Sequence, residues 1–424
     1  MTQTSTPAGP GATNPPPARP GRGFVPLLGA ANFGAYLALL TPVLVGLSLK
    51  VTEIAGDDKA TALGLVTGVG ALFALFANPL IGRLSDRTTS RLGMRRPWIL
   101  GGAVTGVAAL ALIGAAQSVW VVLVGWCLAQ TAFNAVLAAA NATIPDQVPE
   151  RERGRASGVV GIGTPLAIVV GSWVVNLLDS SLARFLVPGA LGGALAVLFA
   201  LALRDRRLVQ APAGRLSARE FFGSFVFDPR VHPDFGWVWL GRFAMFFGYA
   251  GISAYLLFYL TDELDLSESR AVSVIALANT AAAVLMIASS LLGGVLSDRL
   301  GARKPFVALA SAVMAVGLLL LAFAPGVATV VAAQAVIGLG FGAFMSVDMA
   351  LATSVLPNPD EAAKDLGVLN IANALPQSIA PAVAPAVIAA GAHLPIGGYS
   401  TWYLLGAIVV FAGSACVFRV KAVK

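Results

Sequence analysis

The chain has 424 residues, of which 57% are hydrophobic and only 12% are charged. Soluble globular proteins carry about 25% charged residues, so this chain cannot cover a water-exposed surface, and lipid must solvate most of it. The net charge is +7, but the basic residues form short loop clusters instead of a continuous stripe, which argues against a nucleic-acid partner. Cys127 and Cys416 lie within apolar segments and match no metal-binding or disulfide pattern.

The N-terminal segment, residues 1–23, is rich in Pro, Gly, Thr and Ala and lacks the apolar core of a signal peptide. We interpret it as a disordered cytoplasmic tail. A membrane-spanning helix needs about 20 mostly apolar residues, and twelve such segments follow the tail. The predicted spans 1 to 12 are 24–50, 60–83, 97–117, 119–145, 156–178, 183–203, 237–260, 270–295, 305–324, 327–356, 365–391 and 399–419.

The basic residues predict how these spans are oriented. If the N-terminus is cytoplasmic, all but four of the 28 Lys and Arg residues fall on the cytoplasmic side; the exceptions are Lys50, Lys59, Arg184 and Arg270. The loop after span 7, on the opposite side, is acidic. Because cytoplasmic loops carry an excess of Lys and Arg, we expect a multi-pass cell-membrane protein with both termini in the cytoplasm.

Two loop motifs recur half a chain apart. Residues 82–87 read GRLSDR and residues 294–299 read GVLSDR, while 92–97 and 300–305 read LGMRRP and LGARKP. Both copies lie in loops on the same side, so the two halves have the same topology. They should be related by an axis along the membrane normal, with the site at their interface.

The repeat divides the chain into two predicted bundles of six helices each. The N-terminal six-helix bundle is expected over 24–203, and the C-terminal six-helix bundle over 237–424. The segment between them, 204–236, is rich in arginine and is predicted to be a cytoplasmic linker. It lies along the anionic inner leaflet or is simply solvated.

Both loop copies resemble the signature of the major facilitator superfamily, a Gly-x-Leu-small-Asp-Arg run followed by basic residues. The resemblance covers residues 24–420 and implies an all-α membrane protein, with twelve transmembrane helices in two bundles related by pseudo-twofold symmetry. In that family the Asp and Arg of the loop make inside contacts that hold one access state. The resemblance therefore implies gating roles for Asp86, Arg87, Asp298 and Arg299. The alternative is that these charges only set the topology.

A narrower resemblance links the chain to plant sucrose transporters and the related glycoside–pentoside–hexuronide carriers, which are cation-coupled sugar symporters. It is carried by LLTP at 39–42, by the 82–97 region, and by residues 365–377 with their DLG and ALPQ motifs. The helix-1 histidine of that branch is absent. Its helix-4 aspartate has Asp146 as the one candidate, at the inner end of span 4. The resemblance thus implies a proton-coupling role for Asp146.

Amide side chains within the spans form two rows. One row is Gln130, Asn134 and Asn141 in span 4, and the other is Asn370, Asn373 and Gln377 in span 11. Spacings of three, four and seven residues place each row on one helix face. Since an amide both donates and accepts hydrogen bonds, two such faces suit a polyhydroxyl substrate. Any single amide could instead hold helices together.

Three further residues on expected cavity helices are assigned to the substrate site. Asn32 is a polar residue within span 1, and buried amides in lipid should face a cavity or another helix. Tyr36 in span 1 and Tyr255 in span 7 could stack on sugar rings. Ordinary core or interfacial packing is the alternative for both tyrosines.

Asp348 is the only carboxylate deep in a predicted span. It lies nine residues before Pro357, or about 13 Å from the inner end at 1.5 Å per residue, which is close to the midplane. An isolated charge there is unfavourable, so Asp348 should pair or bind a proton. We predict that it is the coupling site, with Arg242 of span 7 as its cationic neighbour. The alternative is a static Asp348–Arg242 pair that does not titrate.

These features together predict a secondary active transporter. The sequence shows no catalytic constellation, no metal-binding cluster and no nucleotide-binding loop, so we expect no enzyme activity and no cofactor. The favoured hypothesis is symport of a sugar or glycoside with a proton (or sodium) by a monomer embedded in lipid. Efflux of drugs or metabolites in exchange for protons is the alternative, although 161–166 (GIGTPL) lacks the Gly-Pro pair usual in exporters. A membrane scaffold or sensor without transport is the third.

Overall fold

The computed structural model describes residues 21, 23–209, 227–300, 303–356 and 362–421. Within these ranges the chain is built of long helices joined by short connections, which confirms the predicted all-α class. Most of the predicted N-terminal tail (1–20 and 22) and the middle of the predicted linker (210–226) lie outside the described residues.

Eleven apolar helical stretches of the described chain are long enough to cross a membrane, and the first, Phe24–Ser85, has 62 residues. One crossing needs about 20 residues, so this stretch accounts for two spans. Gly56, whose φ of 54° suits a residue without a side chain, separates them in a short 3₁₀ turn, Gly56–Asp58. The structure thus agrees with the predicted count of twelve.

We number the spans α1 to α12 in chain order. The first, α1, runs through three contiguous helical stretches, Phe24–Thr41, Pro42–Gly46 and Leu47–Ala55, of which the middle one is a π-helix. The others are α2 Lys59–Ser85, α3 Arg96–Ala115, α4 Val119–Gln147, α5 Glu150–Leu177, α6 Ser181–Ala202, α7 Pro233–Phe258 with a π-helical extension Tyr259–Glu263, α8 Glu268–Leu300, α9 Arg303–Ala322, α10 Val327–Thr353, α11 Ala362–Gly391 and α12 Gly398–Val417.

The helices pack mainly within their own half of the chain. In the first half, α4 is flanked by α2 and α3, and α1 lies between α5 and α6; in the second half, α10 is flanked by α8 and α9. Small residues permit these contacts: a Cβ on Gly34 of α1 would lie 2.9 Å from the Cα of Gly192 in α6. Close backbone approach through small residues is the usual means of helix association in lipid.

The two ends of the helix array differ in charge. The end that carries the 86–95 loop and the last described residues of α12 is rich in arginine, and we call it the basic end. The opposite end carries the α1–α2 turn and the 262–268 segment, and we call it the acidic end. Both halves contribute helix ends to each end of the array.

A candidate central transport site

Hydrogen bonds and ion pairs join the two halves at the acidic end. The Tyr255 hydroxyl of α7 donates to the carbonyl of Pro381 (2.8 Å) in its own half and lies 3.2 Å from the carbonyl of Ala60 across the interface. Lys59 Nζ lies 2.7 Å from Asp262 Oδ1, and Arg184 pairs with Glu268 at 3.6 Å. We call this set of contacts the acidic-end seal.

The seal continues along α5 and α8, again across the two halves. Asn279 Nδ2 donates to Ser172 Oγ at 2.8 Å, and the Trp173 indole N–H donates to Thr280 at 3.1 Å. One turn further out, the Ser273 hydroxyl lies 2.7 Å from Asn176 Oδ1. These contacts close the interface between the halves on the acidic side.

The amide row of α11 begins where the seal stops. A Cβ on Gly68 of α2 would lie 3.0 Å from the carbonyl of Ser378, so α2 and α11 touch at this level. Toward the basic end, the α11 face that meets α2 at Pro381 carries Gln377 and Asn370, and both are exposed. Exposed amides on a face turned toward the other half indicate open space between the halves on the basic-end side of the seal.

The amide row of α4 is partly exposed. Asn134 Nδ2 donates to the carbonyl of Gln130 at 2.8 Å, one turn earlier in the helix. Asn141 is also partly exposed, but its Oδ1 atom is buried and has no hydrogen-bond partner. An acceptor without a partner in a membrane helix is costly, so this oxygen is available to a hydrogen-bond donor.

Asp348 and Arg242, its predicted cationic neighbour, lie together in the interior of the second half. An Arg242 Nη atom donates to Asp348 Oδ2, and each side chain is only 2–3% exposed. Arg242 Nε also donates to Asn373 Oδ1 of α11 at 2.5 Å. Because Asn373 is partly exposed, it connects the buried ion pair to the amide face of α11.

Polar residues that the sequence did not assign to the site meet in a small crevice next to the seal. Tyr249 and Ser253 of α7, Asn279 of α8 and Gln334 of α10 line a cavity of about 20 Å³. Ile168 of α5 closes it from the other half. The two amides stand alone in their helices, so the row spacing that identified the other amides could not find them.

Aromatic contacts connect this crevice to Arg242. Tyr249 stacks on Phe341 with ring centroids 4.1 Å apart, and Phe341 meets Phe246 edge-on at 5.4 Å. The Arg242 guanidinium carbon lies 5.9 Å from the centre of the Phe246 ring, which is within cation–π range. Two phenylalanine rings, Phe246 and Phe341, thus link the ion pair to Tyr249 at the crevice.

Of the remaining predicted substrate residues, two are buried between helices and one is partly exposed. Asn32 is fully buried and donates to the carbonyl of Leu28, while its Oδ1 atom has no partner. Tyr36 is partly exposed and hydrogen-bonds Thr164 of α5. Tyr255 is fully buried in the acidic-end seal, so in this conformation it holds the halves together instead of lining an open cavity.

The predicted gating and coupling acids of the first half meet at Arg95, a residue that the sequence did not single out. Arg95 pairs with Asp86 at 2.5 Å and with Asp146 at 3.0 Å, and it donates to Ser85 at 2.5 Å. Asp146 thus lies at the basic end and pairs with Arg95, whereas Asp348 pairs with Arg242. Arg95 and its three partners all belong to the first half, so this cluster joins the ends of α2, α3 and α4.

Asp205 completes the cluster from the end of α6. Its Oδ2 atom accepts the backbone N–H groups of Arg95 and Arg96, at 2.7 and 2.8 Å, and so caps the start of α3. Burial raises the pKa of Asp205 from its ordinary value, and these N–H bonds oppose that rise. No spacing in the sequence connects Asp205 with a loop more than 100 residues earlier.

The other predicted gating residues follow α2 or lie at the end of α8. Arg87 is partly exposed and Arg299 is exposed. The side chain of Asp298 lies outside the part of the structure that is described. Among the described residues, no group of three His, Cys, Asp or Glu side chains could hold a metal ion.

A solved structure shares this architecture. It is that of a bacterial homologue of the human lysosomal transporter Spinster, in an inward-facing and occupied conformation, with a TM-score of 0.71. The alignment covers 94% of this chain and 96% of that chain, at 16% sequence identity. At this identity the likeness shows the fold alone.

Relatives of known sequence fall into two groups. An uncharacterized symporter of Synechocystis is 44% identical over 18% of this chain and 14% of its own length, and the sucrose transport protein SUC4 of Arabidopsis thaliana is 35% identical over 22% and 16%. The multidrug resistance protein MdtG of Proteus mirabilis is 32% identical over 37% of both chains. In each case the match spans less than half of the relative.

The family assignment rests on most of the chain. The sequence profile of the Major Facilitator Superfamily matches residues 24–288 and 268–423. These two overlapping matches include all twelve spans and both copies of the repeated loop. Together with the helical architecture, they show that the chain belongs to the Major Facilitator Superfamily of membrane transporters.

Proposed function

We propose that this protein is a symporter that moves a sugar or glycoside together with a proton by alternating access. The observation that carries the proposal is the buried Arg242–Asp348 pair and its contact with Asn373 on the amide face of α11. A buried ion pair in a membrane bundle is costly, and ionisable residues within membrane spans usually mark substrate or ion pathways. This pair touches the face where a hydroxyl-rich substrate would bind.

The proposed cycle uses the contacts between the halves. With the basic end in the cytoplasm, a closed acidic-end seal corresponds to an inward-facing state. Rocking of the halves would break the seal and bring the repeated Asp-Arg loops together, which gives Asp86, Arg87, Asp298 and Arg299 their proposed gating roles. The substrate would be held by the amide rows and released toward the basic end.

Asp348 is the proposed proton carrier. In one access state it holds Arg242; in the other it takes up a proton and releases the guanidinium. A ligand can shift the equilibrium between two states only through a difference in its contacts with them, and the Asn373–Arg242 bond supplies such a contact. Sodium is the other cation that a carboxylate with nearby amide oxygens could bind.

The test is Asp348→Asn in proteoliposomes, with radiolabelled sucrose, maltose and phenyl glucoside as probes. We expect the variant to lose accumulation driven by a pH gradient, and to keep exchange of labelled for unlabelled sugar. Asp57→Asn, which changes an exposed carboxylate at the acidic end, is the matched control and should accumulate normally. Full accumulation by Asp348→Asn would refute the coupling role.

Proton-coupled efflux of drugs or metabolites is the second candidate. The similarity to MdtG favours it, as does the crevice, where Ile252, Ile337 and Met286 stand beside the two amides. The direction of proton movement separates the candidates. Protons that enter with the added solute indicate symport, and protons that leave against it indicate exchange.

A further inference from the structure

A lateral groove lies between α2 and α3, apart from the central site. Both helices pack along α4 and make few contacts with one another. The gap has a volume of about 400 Å³, and α4 forms its floor. It is lined by Ile81 of α2, by Pro97, Trp98, Gly101, Gly102 and Thr105 of α3, and by Leu128, Thr131, Ala132 and Ala135 of α4.

Two adjacent glycines of α3 explain why the groove exists. A Cβ on Gly102 would lie 2.5 Å from the carbonyl of Ala132, so Gly102 allows α3 to press against α4. A Cβ on Gly101 would meet nothing within 4 Å, because it points into open space. A side chain at position 101 would fill the groove, and glycine at that position leaves it open.

The groove is apolar and faces the lipid. Two of its three polar side chains have partners in the protein: the Thr131 hydroxyl donates to the carbonyl of Cys127, and the Trp98 indole N–H donates to Thr88 Oγ1. Val124 and Leu128 of α4 are 55% and 45% exposed beside it. In a membrane-spanning bundle such a surface contacts hydrocarbon, so the chemically matched occupant is an acyl chain.

The end of the groove next to Trp98 meets a basic loop. Residues 83–96 contain five arginines and one aspartate. The aspartate, Asp86, is engaged with Arg95, while Arg91 is exposed. Basic pockets beside membrane spans attract anionic lipid headgroups. Any phospholipid has an acyl chain that could enter the groove, but the positive charge of the 83–96 loop favours those with an anionic headgroup.

We propose that the groove between α2 and α3 is a binding site for an anionic phospholipid, with one acyl chain over Gly101 and the headgroup at the 83–96 loop. The lipid fills the space that α2 and α3 leave above α4. It binds to the first half alone, and so it can remain bound while the halves rock. The site is independent of the substrate and of the coupling ion.

Fluorescence quenching by brominated lipids tests the proposal, because Trp98 lies in the wall of the groove. The full-length protein is placed in nanodiscs that contain phosphatidylglycerol and phosphatidylcholine, with bromine on the acyl chains of one lipid at a time. The Trp98 signal is the wild-type emission minus that of Trp98→Phe. We expect brominated phosphatidylglycerol to quench it at a lower mole fraction than brominated phosphatidylcholine.

Two variants separate the parts of the site. Gly101→Leu fills the groove and should abolish the stronger quenching by brominated phosphatidylglycerol. Gly161→Leu is the control, because Gly161 lies in α5 and a Cβ there also meets nothing within 4 Å; it should leave that quenching intact. Arg91→Gln should reduce the preference for phosphatidylglycerol about fivefold, the effect of one basic residue near a membrane surface. Melting temperatures of all variants establish that they fold.

Two results would overturn the proposal. Equal quenching in Gly101→Leu and in the wild type would show that no chain occupies the groove. Equal quenching of wild-type Trp98 by the two lipids at every mole fraction would show that the basic loop selects no headgroup. Neither readout depends on transport, so both stand apart from the tests of the sugar symport proposal.

Discussion

Arg242 contacts three groups at once: a carboxylate, an amide oxygen and an aromatic ring. Its guanidinium bonds Asp348 on α10 and Asn373 on α11, and it lies over the Phe246 ring of its own helix. The planar guanidinium has five N–H donors in a fixed fork, and it keeps its charge when buried. A lysine would place its three donors on a single nitrogen, whereas Arg242 reaches Asn373 and Asp348 with two separate nitrogens.

Removal of Arg242 alone should destabilise the protein severely. Arg242→Leu leaves Asp348 without a cation in the interior, which costs about 3–5 kcal/mol when one member of a buried pair is lost. The double variant Arg242→Leu with Asp348→Leu should recover most of that loss. Thermal unfolding in detergent measures both. A single variant as stable as the double would mean that Asp348 finds another partner.

At the level of residues, the sequence predicted both partners of the buried ion pair. Asp348 was identified as the carboxylate deep in a span, and Arg242 of span 7 was predicted as its cationic neighbour. The Arg95 cluster was not predicted, because Asp205 reaches Arg95 only after α3 to α6 have folded between them. The crevice amides Asn279 and Gln334 were also missed as site residues, since neither belongs to a row.

Among the helices, α2 and α11 form the tightest approach between the halves. A Cβ on Gly64 would lie 2.5 Å from the carbonyl of Pro381 and 2.9 Å from the Tyr255 hydroxyl. Backbone atoms cannot move aside as a flexible side chain can. The seal therefore depends on a missing side chain as much as on its hydrogen bonds.

Gly64→Leu should force the acidic end apart. We expect the distance between spin labels on α2 and α11 at that end to shift to a longer population, measured by pulsed electron resonance in nanodiscs. Gly158→Leu is the control, because a Cβ there meets nothing within 4 Å. Identical distance distributions in the wild type and Gly64→Leu would show that the helices adjust without opening.

The sequence predicted the helices well and their contacts poorly. Apolar length alone located the spans, because an unsatisfied backbone in lipid leaves few alternatives to the helix. The same criterion could not show which helices meet across the halves. The α2–α11 contact depends on Gly64 and Gly68, two of the 46 glycines in the chain, and nothing in the sequence marks these two.

At the scale of the whole molecule, two ion pairs connect the halves at the acidic end. The side chains of Lys59 and Asp262 are 21% and 32% exposed, and those of Arg184 and Glu268 are 18% and 54% exposed. Partly exposed pairs contribute up to about 1 kcal/mol each. Since alternating access needs two states of similar free energy, even contributions of this size change their populations.

Lys59→Gln should therefore shift the protein toward the state that is open at the acidic end, by up to about fivefold in the ratio of the two populations. The same spin-label distances report the ratio. Added salt should reduce the difference between variant and wild type, because it screens exposed charges. Asp57→Asn, which alters an exposed charge at the same end, should change little. If Lys59→Gln left the ratio of the two populations unchanged, the Lys59–Asp262 pair would make no contribution to closing the acidic end.

The first helix of each half contains one turn of a different pitch near the acidic end. In α1 the Leu47 N–H bonds the carbonyl of Pro42, and at the end of α7 the Leu264 N–H bonds that of Tyr259, so each closes a five-residue loop. If such a turn tightened to the α form, everything beyond it would rotate by about 100°, the angle of one residue. Ser48, which holds the carbonyl of Ala254, would then face away from α7. Each half thus carries, next to the surface it shares with the other, a turn whose pitch sets the direction of every side chain beyond it.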